Sequence, residues 1–380
     1  MNKTEVGMHV LTINTGSSSV RLAAFAPDGT GLRACGAERH DLGNGAPGKL
    51  LAAFVKRHLP APPRLVAHRV VHGGARLTST RRIDAAVEAE IGRIAPLAPL
   101  HNPVALAWVR ACREVLGADV PQIAVFDTAF YAHLPEVAAT YALPHELSAR
   151  HEVRRYGFHG LAHQALWSRW RALCPDIACP DIMDGGRVIS FQLGAGCSVT
   201  AIDRGRPLDT SMGFSPLEGL VMATRCGDLD PGLVTFLQRA ERLSAADMER
   251  LLNENSGLRG VSGISGDMRT LLAADNPRAR LAVHLYCYRA RKYLGAYLAV
   301  LGGADAILFG GGVGENAAAV RAAILDGMDW AGIQLDAAAN NAASGREGRI
   351  SQTDSRTEVW VIPVDESRIL AQEALNALNS

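Results

Sequence analysis

The sequence predicts an α/β protein made of two related halves. Two segments that lie 178 residues apart share one pattern, in which an apolar strand, a loop of small residues and a second strand follow each other. The first has a strand at 9–14 and the loop Thr15-Gly16-Ser17-Ser18-Ser19, and the second has a strand at 188–193 and the loop Gly194-Ala195-Gly196-Cys197-Ser198. A chain of 380 residues is also longer than one ordinary core requires, which favours two domains.

The first half continues with alternating helices and strands. Its patterns predict a helix at 50–58, a strand at 64–71, an amphipathic helix at 103–116 and a strand at 122–126. Alternation of this kind is typical of an α/β layer rather than of separate helical and sheet blocks. We place the first domain at 1–149, because a polar segment follows there and the strand–loop–strand pattern then restarts.

The second half repeats the alternation. It predicts helices at 245–253 and 279–301, a strand at 306–309 that ends in the glycine-rich stretch 310–316, and a last strand at 358–364. The second domain therefore covers 150–366. We expect the terminal helix, within 367–380, to pack back on the first domain.

The composition excludes two classes of partner. A net charge of +1 gives no overall field that would attract nucleic acid or an anionic membrane. The N-terminal residues lack the apolar core of a signal peptide, and the most apolar stretch, 281–301, carries basic side chains and is not a membrane span. The seven cysteines form no CxxC pair. We expect a cytoplasmic protein with free thiols, no nucleic-acid partner and no membrane attachment.

The two small-residue loops are candidate phosphate sites. Small residues let backbone N–H groups approach an anion closely, although a plain hairpin turn would look much the same as the loop at 14–19. The second copy and the glycines at 310–316 favour phosphate. No Gly-Lys-Ser/Thr sequence follows either loop, so this is not a Walker loop, and the glycines at 310–314 do not open an N-terminal dinucleotide-binding unit.

Two arginines have candidate roles as anion ligands. Arg69 lies inside an apolar strand, where a charge needs a partner or a ligand, and Arg225 is flanked by small residues. Arginines beside phosphate loops suit the transfer of a phosphoryl group. The alternative is a structural ion pair, to Asp127 or to Asp228.

Three further polar residues are candidates for the same site. Asp127 follows a strand, where α/β active sites collect polar groups, but it could equally cap the next segment. His159 lies in a glycine-flanked segment, from which it could reach a ligand or stay structural. Glu366 follows the last strand, and it could hold Mg²⁺ or be the first-turn acid of the terminal helix.

A series of motifs over nearly the whole chain resembles the acetate kinase family. They are NTGSSS at 14–19, HRVVHGG at 68–74, APLHNP at 98–103, FDTAF at 126–130, RYGFHG at 155–160, DTSMG at 209–213, TRCGD at 224–228, GISGDMR at 263–269 and GVGEN at 312–316. The resemblance implies a duplicated ribonuclease-H-like fold, as in actin, Hsp70 and sugar kinases, with the active site in an interdomain cleft. It implies a homodimer that uses Mg²⁺ (or Mn²⁺) and ATP to convert acetate reversibly to acetyl phosphate, with the dimer interface in the C-terminal lobe.

The resemblance also assigns roles position by position. Around the phosphoryl group it places Arg69, Asp127, His159 and Arg225, and on the metal side Asn14 and Glu366. The acetate pocket would consist of Arg69, Val71, Leu100, Phe158 and Pro216. The nucleotide side would consist of Ser17, Arg21, Gly194, Gly196, Asp267, Met268, Arg269, Gly310, Gly311, Gly312, Val313, Gly314 and Asn316.

Elementary chemistry agrees with these roles. A carboxylate with a pKa of ~4–5 is already ionised at neutral pH, so the nucleophile needs no general base. The protein must instead bring two anions together and spread the charge of the transition state, for which an arginine contributes roughly 10³–10⁵ in rate. We therefore expect direct in-line transfer, with Arg69 and Arg225 as clamps, His159 as a hydrogen-bond donor and Asp127 orienting an arginine or the metal shell.

One loop departs from the family pattern. Where the family usually has His-Leu-Gly-Asn-Gly, this chain has Gln192-Leu193-Gly194-Ala195-Gly196. Losing one charge-assisted hydrogen bond would weaken nucleotide binding by about 1–3 kcal/mol. The change leaves a different phosphoryl donor open.

Three alternatives remain at the level of the sequence. A propionate or butyrate kinase would have the same motifs, although Val71 favours the smallest acid. An ATP-driven switch or interaction protein would share the fold, and a noncatalytic family member is suggested only by Ala195.

Overall fold

The structure is a computed structural model that describes residues 8–16, 19–29, 31–41, 43, 45–99, 101–174 and 185–379. Contacts within the chain divide it into two compact units. Unit 1 comprises Met1–Ala132, His159–Leu161 and Asp365–Ser380, and unit 2 comprises His133–Phe158 and Ala162–Val364. The domain boundary at 149/150 stays a prediction, because contacts within one chain do not test independent folding.

Unit 1 is built on a six-stranded mixed sheet. Its strands are β1 (Val10–Thr15), β2 (Ser19–Asp28), β3 (Gly31–Asp41), β4 (Leu65–Val70), β5 (Arg81–Arg82) and β6 (Gln122–Phe126). Their order is β3-β2-β1-β4-β6-β5. β1 is antiparallel to β2 and parallel to β4, and β4 is parallel to β6.

Both faces of this sheet are covered, which explains why β1 is apolar without interruption. Leu11 and Ile13 pack with helix residues such as Phe54 and Trp108, whereas Val10 packs on the opposite side with Leu370 of the C-terminal helix. The helices of unit 1 are α1 (Pro47–His58), α2 (Ala85–Arg93), α3 (Asn102–Leu116) and the C-terminal helix (Glu366–Asn379), with the start of the helix Gly160–Leu173. The C-terminal helix contacts β1, β2, β4 and β6.

Unit 2 repeats the same strand topology. Its strands are β7 (Arg187–Leu193), β8 (Cys197–Asp203), β9 (Arg206–Thr210), β10 (Ala306–Gly310), β11 (Gly348–Arg349) and β12 (Glu358–Val361), in the order β11-β12-β10-β7-β8-β9. β7 is antiparallel to β8 and parallel to β10, and β10 is parallel to β12. β7, β8, β10 and β12 thus correspond to β1, β2, β4 and β6, which confirms the predicted duplicated ribonuclease-H-like fold.

Helices surround the second sheet. They are Glu136–Ala139, His145–Arg150, Pro231–Ala240, Ala245–Glu254, Gly257–Ser262, Met268–Ala273, Pro277–Leu301, Gly311–Asn316, Ala318–Leu325 and Ala337–Ala342, with most of Gly160–Leu173. The longest begins where the Asn276 side chain accepts hydrogen bonds from the amides of Arg278 and Ala279, and it ends at Gly302 in the left-handed conformation (φ 68°). Both are standard helix-end signals. No helix in the described ranges is long and apolar enough to cross a membrane.

Several elements differ from the sequence-based expectation. The glycine-rich stretch forms the short helix Gly311–Asn316 instead of a loop. β3 and β9 were not predicted, because their polar and apolar residues do not alternate cleanly along the sequence. The last strand ends at Val361 rather than at residue 364, since Pro363 has no N–H to donate to a neighbouring strand.

Candidate active site

Unit 1 gathers polar side chains at the carboxyl ends of three adjacent strands. Asn14 lies near the end of β1, Arg69 near the end of β4, and Asp127 directly follows β6. Because these strands are parallel neighbours in the order β1-β4-β6, their carboxyl ends meet at one edge of the sheet. The first part of the candidate site lies at this edge.

Arg69 and Asp127 form a buried, bidentate ion pair. Arg69 Nε donates to Asp127 Oδ1 at 3.0 Å, and Nη2 donates to Oδ2 at 2.6 Å. The Arg69 side chain is 11% exposed and that of Asp127 is 1% exposed. Burial opposes charge on Arg69, but the carboxylates of Asp127 and Glu366 outweigh it and raise the pKa of Arg69. The sequence-based alternative of a structural pair to Asp127 therefore describes a real contact.

Asn14 and Glu366 extend this network. Arg69 Nη1 donates to Asn14 Oδ1 at 3.1 Å, and Asn14 Nδ2 donates to Glu366 Oε2 at 2.7 Å. Glu366 is also the first residue of the C-terminal helix, which confirms its position as a first-turn acid, whereas its metal role stays a prediction. The next residues in the chain, Thr15 and Ser367, have buried hydroxyl oxygens without a hydrogen-bond partner among the described residues.

The backbone places His159 against Asp127. The His159 amide hydrogen-bonds to the Asp127 carboxylate, and His159 itself adopts a left-handed conformation (φ 58°). Gly160 packs so tightly that a Cβ there would overlap the Asp127 carbonyl oxygen. The glycine after His159 is thus required by this close approach and not only by flexibility.

Unit 2 has a candidate anion ligand of its own, Arg225, which has few partners. Its Nη1 donates to the carbonyl oxygen of Pro216 at 2.6 Å. Among the described residues no carboxylate lies within ion-pair distance of it, and burial lowers the pKa of Arg225. Asp228, the partner that the sequence allowed, instead accepts hydrogen bonds from the Gly219 amide and the Tyr293 hydroxyl. The guanidinium of Arg225 therefore keeps donors for a ligand.

In each of the two small-residue loops, one glycine amide donates a hydrogen bond within the loop itself. Gly16 N–H donates to the Ser19 carbonyl at 2.8 Å, and Gly194 N–H donates to the Gly196 carbonyl at 3.0 Å. An anion at the second loop would therefore have to bind amides other than that of Gly194, and Ala195 offers no polar side chain. Ser17 lies outside the described residues.

The glycine helix Gly311–Asn316 contains two kinds of glycine. A Cβ at Gly310 would overlap the side chains of Val364 and Leu166, and one at Gly311 would overlap the Leu193 carbonyl. Gly312, by contrast, faces open space and has no left-handed backbone, so packing does not require a glycine there. The close approach of a ligand is a reason for a glycine at this position.

Two residues that we did not predict hold this helix. The Glu315 carboxylate accepts hydrogen bonds from the amides of Gly311 (3.0 Å) and Val364 (3.2 Å). Arg321 is fully buried and donates to the carbonyl oxygens of Gly314 (2.8 Å) and Glu315 (3.0 Å). An arginine inside an apolar helix was the one available sequence signal, and it was missed.

The remaining nucleotide residues have structural partners. Asp267 caps the helix Met268–Ala273 and pairs with Arg269 at 2.6 Å, and this hydrogen bonding holds the pKa of Asp267 at about 2. Met268 is buried, and Arg21 is exposed on β2. No ligand contact of these residues is established, so their nucleotide role stays a prediction.

The residues that the family resemblance assigns to an acetate pocket belong to both units. Val71 is buried just after β4 in unit 1, and Phe158 is buried in unit 2. Pro216 is half-buried and presents its carbonyl oxygen to Arg225. Leu100 lies outside the described residues.

Comparison with known proteins adds to this geometry. A sequence model described as the Acetokinase family matches residues 49–372. The chain is 48% identical over 313 residues to the acetate kinase of Chloroherpeton thalassium, which covers 81% of this chain and 74% of that protein. It is 36% identical to the crystal structure of Porphyromonas gingivalis acetate kinase, with a TM-score of 0.85 and coverage of 98% and 100%. A propionate kinase structure from Francisella tularensis is 32% identical, also with a TM-score of 0.85, and covers 97% and 99%.

Proposed function

The chain belongs to the acetokinase family, and from that premise we propose that it catalyses reversible transfer of the ATP γ-phosphoryl group to acetate. The products are acetyl phosphate and ADP. The acetate oxygen attacks phosphorus in line while the phosphorus–oxygen bond to ADP breaks, so one P–O bond forms and one breaks. No proton has to be removed, because acetate is ionised at neutral pH.

The observation that carries this proposal is the state of Arg225. A cation that is removed from water and has no carboxylate partner among the described residues is costly, unless an anionic ligand completes its environment. Both the acceptor carboxylate and the transferring phosphoryl group are such anions. Guanidinium donors aimed at developing charge contribute roughly 10³–10⁵ in rate to phosphoryl transfer.

Arg69 and Asp127 supply a second, fixed set of donors and acceptors. Because Asp127 holds two of its N–H groups, Arg69 has little rotational freedom and is preorganised. We assign Asp127 the task of orienting Arg69. His159, whose amide hydrogen-bonds to the same carboxylate, is assigned as a donor to the phosphoryl group.

Oxygen donors fit a magnesium ion at Asn14 and Glu366. Mg²⁺ prefers oxygen ligands and is commonly bound by one or two carboxylates together with substrate phosphates and water. The buried, unpartnered hydroxyl oxygens of Thr15 and Ser367, adjacent in sequence to these residues, are consistent with such a polar environment. The ion would neutralise charge on the nucleotide phosphates, and Mn²⁺ would serve the same purpose.

We place the nucleotide in unit 2, on the loop at 194–196 and the helix Gly311–Asn316. Support comes from Gly312, where neither packing nor backbone conformation requires a glycine. Gln192 pairs with Gly310 across the sheet, and its buried Oε1 has no hydrogen-bond partner among the described residues. Because Gln192 and Ala195 depart from the family's usual loop sequence, a phosphoryl donor other than ATP remains the alternative.

Propionate is the second candidate acceptor. The similarity to the Francisella tularensis propionate kinase favours it, because that structure matches this chain as well as the acetate kinase structure does by TM-score. One methylene group is worth only about 1–3 kcal/mol in an apolar pocket, so the preference would be graded.

We propose that the enzyme is a cytoplasmic homodimer. Two helices of unit 2 each carry apolar side chains that are 41–59% exposed in the single chain. They are Leu233 and Phe236 in one helix, and Leu281 and Tyr288 in the other. Contiguous exposed apolar patches mark protein–protein interfaces, and we propose that these four side chains contribute to one. The six cysteines of the described ranges are free thiols, as in proteins of a reducing compartment. Sedimentation of the wild type and of Phe236→Glu tests the dimer, since the variant should shift the chain towards the monomer.

The test of the function uses purified protein with Mg-ATP and acetate, propionate or butyrate. We expect ADP and acyl phosphate to form together, fastest with acetate. Arg225→Ala should reduce turnover by at least 10³-fold. Arg291→Ala is the matched control, because Arg291 also donates to a backbone carbonyl, that of Ile324 at 3.1 Å. Turnover of Arg225→Ala within a few-fold of the wild type would refute the assigned role.

A further inference from the structure

Three side chains of unit 2 form a cluster that no function so far described requires. They are Tyr141, Arg155 and Glu218, and we call them the Tyr141 cluster. The Glu218 carboxylate accepts hydrogen bonds from the Tyr141 hydroxyl and from Arg155 Nη2, the latter at 2.7 Å. The Arg155 guanidinium also lies over the Tyr141 ring, 5.4 Å from its centroid. Glu218 is thus bound by two donors that are more than 60 residues away in sequence.

The cluster is anchored to the framework of unit 2. Arg155 donates to the backbone carbonyl oxygens of Ala138 and Thr210, each at 3.2 Å, and Thr210 ends strand β9. A charge that is bound to two carbonyls and one carboxylate has a fixed orientation. The position of Glu218 therefore follows that of the sheet.

The same cluster fixes the start of the segment 213–219, and Asp228 holds its end. At its start, the Tyr141 hydroxyl accepts the Phe214 amide at 2.8 Å, and a Cβ at Gly213 would overlap that hydroxyl and the Glu218 carboxylate. At its end, the Gly219 amide donates to Asp228 Oδ1 at 2.8 Å. The segment has no regular secondary structure, so these side-chain bonds determine its path.

Pro216 lies in the middle of this fixed segment and contacts Arg225. Its carbonyl oxygen accepts from Arg225 Nη1 at 2.6 Å, the contact that directs the guanidinium. The backbone of Arg225 is held separately, because its carbonyl accepts the Met222 amide at 3.1 Å. The backbone and the guanidinium of Arg225 are thus located by different hydrogen bonds, and the bond of the guanidinium is the one made to the segment 213–219.

We propose that Tyr141, Arg155 and Glu218 are positioning residues that set the direction of the Arg225 guanidinium through the carbonyl of Pro216. The inference rests on the proposed role of Arg225 in phosphoryl transfer. A displacement of about 1 Å at a reacting group costs ~10²-fold in rate, so a cluster that moves one carbonyl oxygen affects catalysis without touching the substrate.

The test compares Glu218→Gln and Tyr141→Phe with Glu358→Gln. Glu358 is a suitable control, because it is also a half-buried glutamate of unit 2 that accepts from an arginine, Arg349 at 3.2 Å, and from an aromatic donor, Trp360 at 2.9 Å. We expect kcat to fall about 10- to 100-fold in the two cluster variants, with the KM for ATP within 2-fold of the wild type. Glu358→Gln should lower the melting temperature by about as much as the two cluster variants do, but it should leave kcat unchanged. Equal losses of kcat in all three variants would overturn the inference.

A double-mutant cycle with Arg225 separates positioning from general stability. If the cluster acts through Arg225, Glu218→Gln should change kcat by less than 2-fold in an Arg225→Lys background. An undiminished effect there would show that the cluster acts elsewhere and would overturn the inference, even if Arg225→Ala alone is inactive. If Arg225→Ala retains turnover, both the proposed role and this inference fail. If Glu218→Gln does not fold, the same cycle with Tyr141→Phe decides the question.

Discussion

Arg69 holds the carboxylate of Asp127 through two parallel hydrogen bonds, from Nε to Oδ1 at 3.0 Å and from Nη2 to Oδ2 at 2.6 Å. Both side chains are nearly inaccessible to water, so each charge depends on the other. A third nitrogen of the same guanidinium, Nη1, donates to Asn14 Oδ1, and Asn14 Nδ2 donates in turn to the Glu366 carboxylate. The network connects three strands with the C-terminal helix.

Removing the charge of Asp127 should cost both stability and activity. Asp127→Asn leaves the Arg69 guanidinium buried without its main counter-charge, which typically costs 3–5 kcal/mol. We expect the free energy of unfolding, measured in urea, to fall by about that amount, and kcat to fall about 10²-fold as Arg69 loses its orientation.

Asp275→Asn is the matched control for this prediction. Asp275 pairs with Arg280 at 2.8 Å, but its side chain is fully exposed. Exposed pairs contribute about 0–1 kcal/mol, so this variant should unfold like the wild type. Equal unfolding midpoints for Asp127→Asn and Asp275→Asn would contradict the assignment of a buried pair.

The stability of unit 1 should depend on pH through His68. Burial lowers the pKa of His68 to about 4, although the hydrogen bond to Gln122 opposes the shift. Because the pKa in the folded state lies below the unfolded value of about 6.5, folding favours the neutral ring. The associated stability is complete above about pH 6.5, falls as the pH decreases and is lost at about pH 4; roughly 2 kcal/mol is gone by pH 5.

His68→Gln tests this dependence, since glutamine does not titrate. Thermal melting of the wild type and the variant between pH 7 and pH 5 should show a wild-type advantage that shrinks steadily towards acid. His151→Gln is the control, because His151 is exposed and ends a surface helix. A difference in melting temperature that stays constant with pH would mean that His68 does not carry this linkage.

A smaller side chain at Val71 should change the enzyme's preference between acetate and propionate as phosphoryl acceptors. Val71 is buried just beyond β4, two residues after Arg69, and the family resemblance places it in the acetate pocket. Val71→Ala removes two methyl groups and should raise the ratio of kcat/KM for propionate to that for acetate by about 10-fold or more, at ~1–3 kcal/mol per methylene. Val109→Ala, at a fully buried valine of α3, should lower stability without changing this ratio. If both variants keep the wild-type ratio, Val71 does not limit the pocket.

The repeated strands could be predicted from the sequence because the residue patterns that indicate them lie within short segments. Apolar residues at β1 and β7 and small residues in the loops after them are visible in short windows, and the paired sheets confirmed them. The partners of those residues could not be read in this way. Asn14 and Glu366 are 352 residues apart, and only the fold brings the carboxylate to the amide.

The same limit applies to residues that position others. Arg321 donates to two carbonyl oxygens of the glycine helix, and its place in an apolar segment indicates that it needs a partner but not which one. The left-handed backbone of His159 depends on Asp127, which lies on another element. Sequence patterns therefore singled out the charged side chains, whereas their partners follow only from the fold. The ion pair from Arg225 to Asp228, which the sequence left open as an alternative, is not formed, and Asp228 accepts from the Gly219 amide and the Tyr293 hydroxyl instead.

Restoring a side-chain amide in the second loop should strengthen nucleotide binding. Ala195 has no polar side chain, and the Gly194 amide is already used within the loop. In Ala195→Asn, a new hydrogen bond to a charged phosphate should contribute about 1–3 kcal/mol, which lowers the KM for ATP roughly 5- to 150-fold. Ala46→Asn, at the uncapped start of α1, adds the same amide elsewhere and should raise the melting temperature without affecting the KM. An unchanged KM in Ala195→Asn, measured with saturating acetate, would mean that no phosphate approaches this loop, and the donor would then have to be sought among other phosphorylated compounds.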